Sequence, residues 1–284
     1  MLGIYRERMY SPNRVEDDCA ILSLTADRLR DKGYHVQLRE PHEVTSRLSP
    51  AMTFGMCDGI RPLKILEKWS SQGYPVLNDP KAVQNCYRWR MLSLVAGTTI
   101  PLPKTLLIQT SEQVNGQFDL EGGVWVKRGD VHSTQEGDVR LIYDRFSLEK
   151  ALEDLRTRRI KSAVLQEHIV GDLIKFYGIR TRGWFRYFYH KPAQAIGYPF
   201  SPERLQRTVE SIAARLGLDI YGGDIVITEK RHYIIDINSW PSFAVCKEEA
   251  AEEIACLLDE RFCKWELQYG YRRGRCDFQG ALSG

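Results

Sequence analysis

The stretch GGDIVITEKRHYIIDINSWPSF, Gly222–Phe243, decides how this chain is read. DIVIT and HYIIDIN alternate as half-buried strands do, and EKR between them reads as a hairpin turn. Successive strand side chains point to opposite faces, so Asp236 and Asn238 share one face. Pairing across the turn brings Asp224 beside them. Two carboxylates and one amide oxygen then form an all-oxygen donor set, suited to a hard cation such as Mg²⁺. A hairpin that simply turns polar residues to solvent carries the same pattern.

Outward from the hairpin, the chain alternates strand and helix signals. Near the N-terminus, SPNRVEDDCAILSLTADRLRDKGYHVQLRE reads as a helix with Ile21, Leu22, Leu24 and Leu29 on one face. Gly33 ends that helix and a strand follows. RPLKILEKWSSQGYPVLND repeats the pattern, so residues 1–80 form an open α/β layer. DPKAVQNCYRWRMLSLVAGT reads as one helix, capped by Asp79 and closed at Gly97. GGVWVKRGD is a buried strand that ends in Lys127. SLEKALEDLRTRRI is a helix capped by Ser147, with Leu148, Leu152 and Leu155 inward. AVLQEHIV is a strand, and LIKFYGIRTRGWFRYFYHK gives two strands around Gly183. SPERLQRTVESIAARLGLD and CKEEAAEEIACLLDERFCKWEL are amphipathic helices. The expected divisions are 1–80, 81–168, 169–265 and a polar, partly loose tail at 266–284.

Composition narrows the class. The chain has 284 residues and a net charge of +3 from 40 basic and 37 acidic side chains. That balance argues for neither nucleic acid nor a membrane surface as a partner. No apolar run approaches the ~18 residues of a membrane span. Charge begins at Arg6, too early for a signal-peptide core. Seven cysteines without a C-x-x-C pair and six histidines without ligand spacing argue against a disulfide frame or a zinc site. A cytoplasmic protein with reduced thiols is expected.

From about residue 76 to 258 the order of these pieces resembles the ATP-grasp superfamily. VLND…RWRML…IPLPKT is similar to that family's entry helix and proline-rich strand. WVKRGD resembles the strand that carries the phosphate-binding lysine, and LQEHIV the adenine hinge. DIVITEKRHYIIDIN resembles the metal-binding strands. The resemblance implies an ATP-grasp fold, of mixed α/β and α+β class, behind an N-terminal open α/β layer. It implies ATP and Mg²⁺ as cofactors, with Asp224, Asp236 and Asn238 holding the metal.

The same resemblance assigns the nucleotide residues. Lys127 ends an apolar strand, where its charge needs an anion or solvent, and ATP phosphates supply the anion. Arg88 stands where the family usually has lysine, with Arg90 as a competitor. Gln166, Glu167, His168 and Ile169 form the hinge, where Glu167 and Ile169 would offer backbone groups to adenine. The loop RGDVHSTQEGDV after Lys127 would cover the phosphates, although it holds only Gly129 and Gly137. His132 lies in that loop at a spacing similar to the inositol polyphosphate kinase branch. There it would touch a transferring phosphoryl group.

Acceptor residues are sought in IKFYGIRTRGWFRYFYHK. Lys175 matches a position where ligases often have arginine and inositol kinases lysine. With Arg186 it favours an anionic small-molecule substrate, carboxylate or phosphate. Arg6, Arg8, Ser11 and Arg14 follow the first strand, at the sheet edge where open α/β layers bind ligands. The resemblance therefore implies a carboxylate–amine or carboxylate–thiol ligase similar to glutathione synthetase and ribosomal-protein glutamate ligase. Its alternative is a kinase of inositol-phosphate type, and the apolar N-terminal layer is compatible with a homodimer.

Overall fold

The computed structural model describes residues 1–270 except 113, 115, 117 and 132. The expected loose tail lies largely outside the described residues. In chain order the elements open with β1 (Leu2–Ile4), α1 (Val15–Asp31), β2 (Gln37–Arg39), β3 (Thr53–Gly55), α2 (Ile60–Ser71) and β4 (Val76–Leu77). Next come α3 (Pro80–Asn85), α4 (Arg88–Val95), β5 (Thr105–Gln109), β6 (Val124–Arg128), β7 (Val139–Ile142) and α5 (Arg145–Thr157). The remainder is β8 (Ser162–Glu167), β9 (Asp172–Ile179), β10 (Trp184–Tyr189), α6 (Pro202–Leu216), β11 (Ile220–Ile227), β12 (His232–Ser239) and α7 (Lys247–Trp265).

Two compact units result. Among the described residues, the first comprises 1–7, 16–80 and 242–270; the second comprises 8–15 and 81–241. In the first unit a parallel sheet runs β2-β1-β3-β4. Parallel strands need crossovers, and α1 and α2 supply them. Ile21, Leu22 and Leu29 are buried along α1, as the helical spacing predicts. Leu24, expected on the same face, is only half-buried. Helix α7 belongs to this unit as well. Its Lys247 pairs with Asp17 at 2.7 Å, Glu248 with Arg28 at 3.0 Å, and Trp265 Nε1 donates to the Gly73 carbonyl at 2.7 Å. The expected division places 169–265 in one subdomain; these partners draw the last helix to the first unit instead.

The second unit contains two four-stranded antiparallel sheets, β5-β8-β6-β7 and β10-β9-β11-β12. Strand alternation gives each sheet one apolar face. Val124, Val126, Ala163 and Leu165 turn to α5, where Leu148, Leu152 and Leu155 cover them. Ile174, Phe176, Tyr221, Ile225 and Ile237 turn to α6 and meet Leu205, Val209, Ile212 and Leu216. The opposite faces carry the polar residues discussed below.

Two local expectations are corrected. Helix α5 begins at Arg145 with Asp144 as its cap, whose carboxylate accepts from the Ser147 N–H at 2.8 Å; Ser147 itself is not the cap. The single helix expected after Asp79 is broken into α3 and α4, because Tyr87 is extended (φ −60°, ψ 128°). Neither glycine nor proline marks that break. The restarted helix places Arg88 in its first turn, and its Trp89 N–H donates to the Gly129 carbonyl at 3.3 Å.

Candidate nucleotide and metal site

Sheet β5-β8-β6-β7 places Thr105, Gln166 and Lys127 on one face, since Thr105 pairs with Gln166 and Lys127 with Val164. With Arg88, Met91, Leu92, Val164, Ile235 and Asp236 they line a cleft within the second unit. Lys127 is 5 % exposed. Its ammonium donates to Gln166 Oε1 at 2.7 Å and to the Ile235 carbonyl at 3.4 Å. Among the described residues no carboxylate oxygen comes within ion-pair distance of it. Burial pushes its pKa down to about 8, against the opposing pull of Asp236; Arg88 adds to the fall and Asp224 opposes it.

Arg88 is buried at the cleft wall. It donates through Nη1 to the carbonyls of Arg128 and Val131, each at 3.0 Å, and its Nη2 lies 3.8 Å from Asp236 Oδ2. Its Nε is buried without a hydrogen-bond partner among the described residues. The competing Arg90 turns away, donating to Gln84 at 2.6 Å and resting over the Trp89 ring. Two cations packed into one cleft, with no described acid paired to Lys127, suit a polyanion such as a phosphate chain.

The hinge residues divide by role. The Glu167 N–H donates to the Lys104 carbonyl at 2.9 Å, and the His168 N–H to Gly123 at 3.0 Å. The Ile169 N–H has no acceptor among the described residues. Gln166 and His168, both expected as nucleotide contacts, are engaged within the protein. Gln166 orients Lys127 and donates to Thr105 Oγ1 at 3.3 Å. His168 Nδ1 accepts from Trp125 Nε1 at 3.1 Å, and burial lowers the imidazole pKa, so the neutral ring pins the Trp125 indole.

On the second sheet, Asp224 is the cross-strand partner of both Asp236 and Lys175, so the three share one rung and one face. Asn238 stands on the same face opposite Gly222. The predicted triad is thus gathered, but through a β-bulge: the register shifts between Asp224 and Ile225, so Asp224 faces Asp236 where unbroken alternation would set Ile235 opposite it. Lys175 Nζ lies 3.0 Å from Asp224 Oδ1. Asp236 Oδ1 accepts from the Ile237 N–H at 3.1 Å. The Asn238 amide and Asp224 Oδ2 make no hydrogen bond among the described residues. Two carboxylates and an uncommitted amide oxygen fit a divalent cation that prefers oxygen ligands.

Gly222 and Gly223 allow the close packing beside this rung. A Cβ at Gly223 would sit 2.1 Å from the Asp236 carbonyl oxygen, and one at Gly222 would meet Pro241 at 2.6 Å. Arg186 shares the metal face one rung along, opposite Tyr177, but it is exposed, donates to the Phe185 carbonyl at 2.8 Å and rests over Trp184. His132 lies outside the described residues. Arg6 is buried against Asp18 at 3.5 Å and Asp58 at 3.6 Å within the first unit, so its charge is used internally.

Sequence reasoning does not find the residues that shape the loop after Lys127. Asp138, fully buried, accepts from the Thr134 N–H at 2.7 Å, its hydroxyl at 2.9 Å and the Gln135 N–H at 3.2 Å. Arg128 and Arg158 complete the set at 3.1 and 2.6 Å. These donors, working against burial, hold the Asp138 carboxyl down to about 2. No local motif announces the network, because its members are joined only by the fold.

No protein-family model matches the chain. A protein named probable alpha-L-glutamate ligase from Citrobacter koseri is 24% identical over 251 residues, covering 82% of this chain and 80% of its own. The structure of D-alanine–D-alanine ligase from Bacillus anthracis complexed with ATP superposes with a TM-score of 0.69 at 12% identity, covering 97% of this chain and 98% of that one. A RimK domain ATP-grasp protein from Sphaerobacter thermophilus gives 0.63 at 19% identity, covering 90% and 98%.

Proposed function

We propose that this chain, which has the ATP-grasp fold, is an ATP-dependent ligase that joins a carboxylate to an amine or thiol. The observation that carries the reading is Lys127: a buried ammonium, braced by Gln166 and the Ile235 carbonyl, that shares its cleft with Arg88 and Asp236. In this reading Lys127 and Arg88 hold the phosphates. The Ile169 N–H and the Glu167 carbonyl receive the adenine edge. Asp224, Asp236 and Asn238 would hold Mg²⁺, which supplies neutralisation of charge on the β- and γ-phosphates.

In this reading the reaction runs through an acylphosphate. The substrate carboxylate attacks the γ-phosphorus, ADP leaves, and an acylphosphate forms. The amine or thiol then attacks the acyl carbon and inorganic phosphate departs. The residues contribute positioning and charge compensation, with no covalent step on the protein. Lys175 and Arg186, on the metal face, are assigned to an anionic small-molecule or peptide acceptor. The inositol-type kinase reading rests on His132 and Lys175; the relatives named above are ligases or carry the ligase fold, and none is named a kinase. The absence of paired cysteine spacing keeps the cytoplasm as the proposed location, and among the described residues no helix is long and apolar enough to cross a membrane.

The assignment is tested by single substitutions. Lys127→Ala is expected to weaken binding of a non-hydrolysable ATP analogue, measured by calorimetry, and Asp236→Ala to abolish ADP formation. Unchanged ATP consumption in Asp236→Ala refutes the metal assignment.

A further inference from the structure

The metal rung carries a feature that the ligase reading does not require. Its two acids are already matched by two cations. Asp224 has Lys175 at 3.0 Å, and Asp236 has Arg88 at 3.8 Å. Each acid of the rung therefore has a cation beside it without a metal. The two pairs differ in kind. Arg88 is buried and also donates to two loop carbonyls, so its position is fixed. Lys175 is about one-third exposed, and Asp224 is its single hydrogen-bond partner among the described residues. An ammonium on a flexible stem with one partner can be released.

We infer that Lys175 is the resident counter-ion of the metal site: it pairs with Asp224 until a divalent cation takes that carboxylate, and its freed ammonium then receives the anionic group of the acceptor. This rests on the metal reading proposed above. The electrostatics give it a direction. A dication bound at Asp224 cancels the attraction that holds Lys175 and repels the ammonium at close range. The nearest relief is an anion on the same sheet face. Metal binding and acceptor capture are thereby coupled through one side chain, and the metal–nucleotide complex binds before the acceptor. Competition also has a sign: Lys175 weakens metal binding.

The test uses the full-length chain and Mn²⁺ as probe, titrated by electron paramagnetic resonance with saturating β,γ-imido-ATP. Lys175→Met is expected to tighten Mn²⁺ by about two- to fivefold, the worth of one partly exposed ion pair. Asp224→Asn is expected to weaken it, and adding Lys175→Met to Asp224→Asn to bring no further tightening. Unchanged or weaker Mn²⁺ affinity in Lys175→Met, with Asp224→Asn still impaired, overturns the counter-ion inference and leaves the metal reading intact. Unchanged affinity in Asp224→Asn overturns both. Circular dichroism of each variant confirms that the fold is retained.

Discussion

At the scale of the residue, Lys127 shows what the site costs. Its folded pKa is about 8, against an ordinary value of 10.5, because burial disfavours the ammonium. Between those values the folded chain binds fewer protons than the unfolded one, so stability rises with pH across that window. At neutral pH the buried charge is a net cost. A tenfold change in proton affinity is worth about 1.4 kcal/mol. Lys127→Met should therefore stabilise the ligand-free protein by about 1–3 kcal/mol in denaturant melts near neutral pH, less whatever is lost by leaving Gln166 without its donor. The same variant should lose the extra stability that a nucleotide confers. Because phosphate binding needs the ammonium, affinity of the wild type for an ATP analogue should fall between about pH 7 and about pH 9. A flat calorimetric profile over that range counts against Lys127 as a phosphate ligand.

Elements decide whether such residues can meet. The β11–β12 hairpin aligns its acids through the register shift beside Asp224, and two glycines let β9, β12 and the turn after β12 approach closely there. Gly223→Ala drives a methyl to 2.1 Å from the Asp236 carbonyl oxygen and 2.7 Å from the Phe176 ring. A loss of about 2 kcal/mol or more in thermal or denaturant unfolding is expected, since the contact is with backbone that cannot step aside. The loop after β6 depends on Asp138. Its carboxyl is held below the ordinary 3.8, at about 2. That stabilisation is present above about pH 4 and is lost as pH falls toward 2. Asp138→Asn should cost about 2–3 kcal/mol at neutral pH and flatten the acid limb of the stability profile; an unaltered acid limb would show the network to be ornamental. These two elements also mark the limit of sequence reading. The hairpin is legible as two strands and a turn, and alternation puts Asp236 and Asn238 on one face, but the register shift between Asp224 and Ile225 that brings Asp224 opposite Asp236 is not announced by any local pattern. Gln166 and His168 are legible as strand residues but not in their contacts, since a strand pattern fixes a face and not the partner that waits there. The break between α3 and α4 is not legible, because helix-compatible residues run through it and the tertiary bond from Trp89 to Gly129 overrides them. The Asp138 network is invisible for the same reason: Arg128, Thr134, Asp138 and Arg158 share no spacing that local chemistry demands.

For the molecule as a whole, the division of labour is set by where charge is compensated. The first unit ties its charges down: Arg6 lies among Asp18 and Asp58, and α7 is pinned to α1 by Lys247–Asp17 and Arg28–Glu248. The second unit keeps, among the described residues, a buried lysine without an acid partner and an acid, Asp224, whose lysine partner is partly exposed. A phosphate chain and a divalent cation would complete both, which is why nucleotide chemistry is assigned to the second unit. The direct test is ADP release by the full-length chain with Mg·ATP against a divided panel. One half pairs small carboxylates, amino acids and acidic peptides with amines or thiols, and the other holds polyols and inositol phosphates. The account predicts turnover that requires a carboxylate together with an amine or thiol, and that disappears in Asp236→Ala. Turnover on a polyol phosphate with no carboxylate and no amine would contradict it.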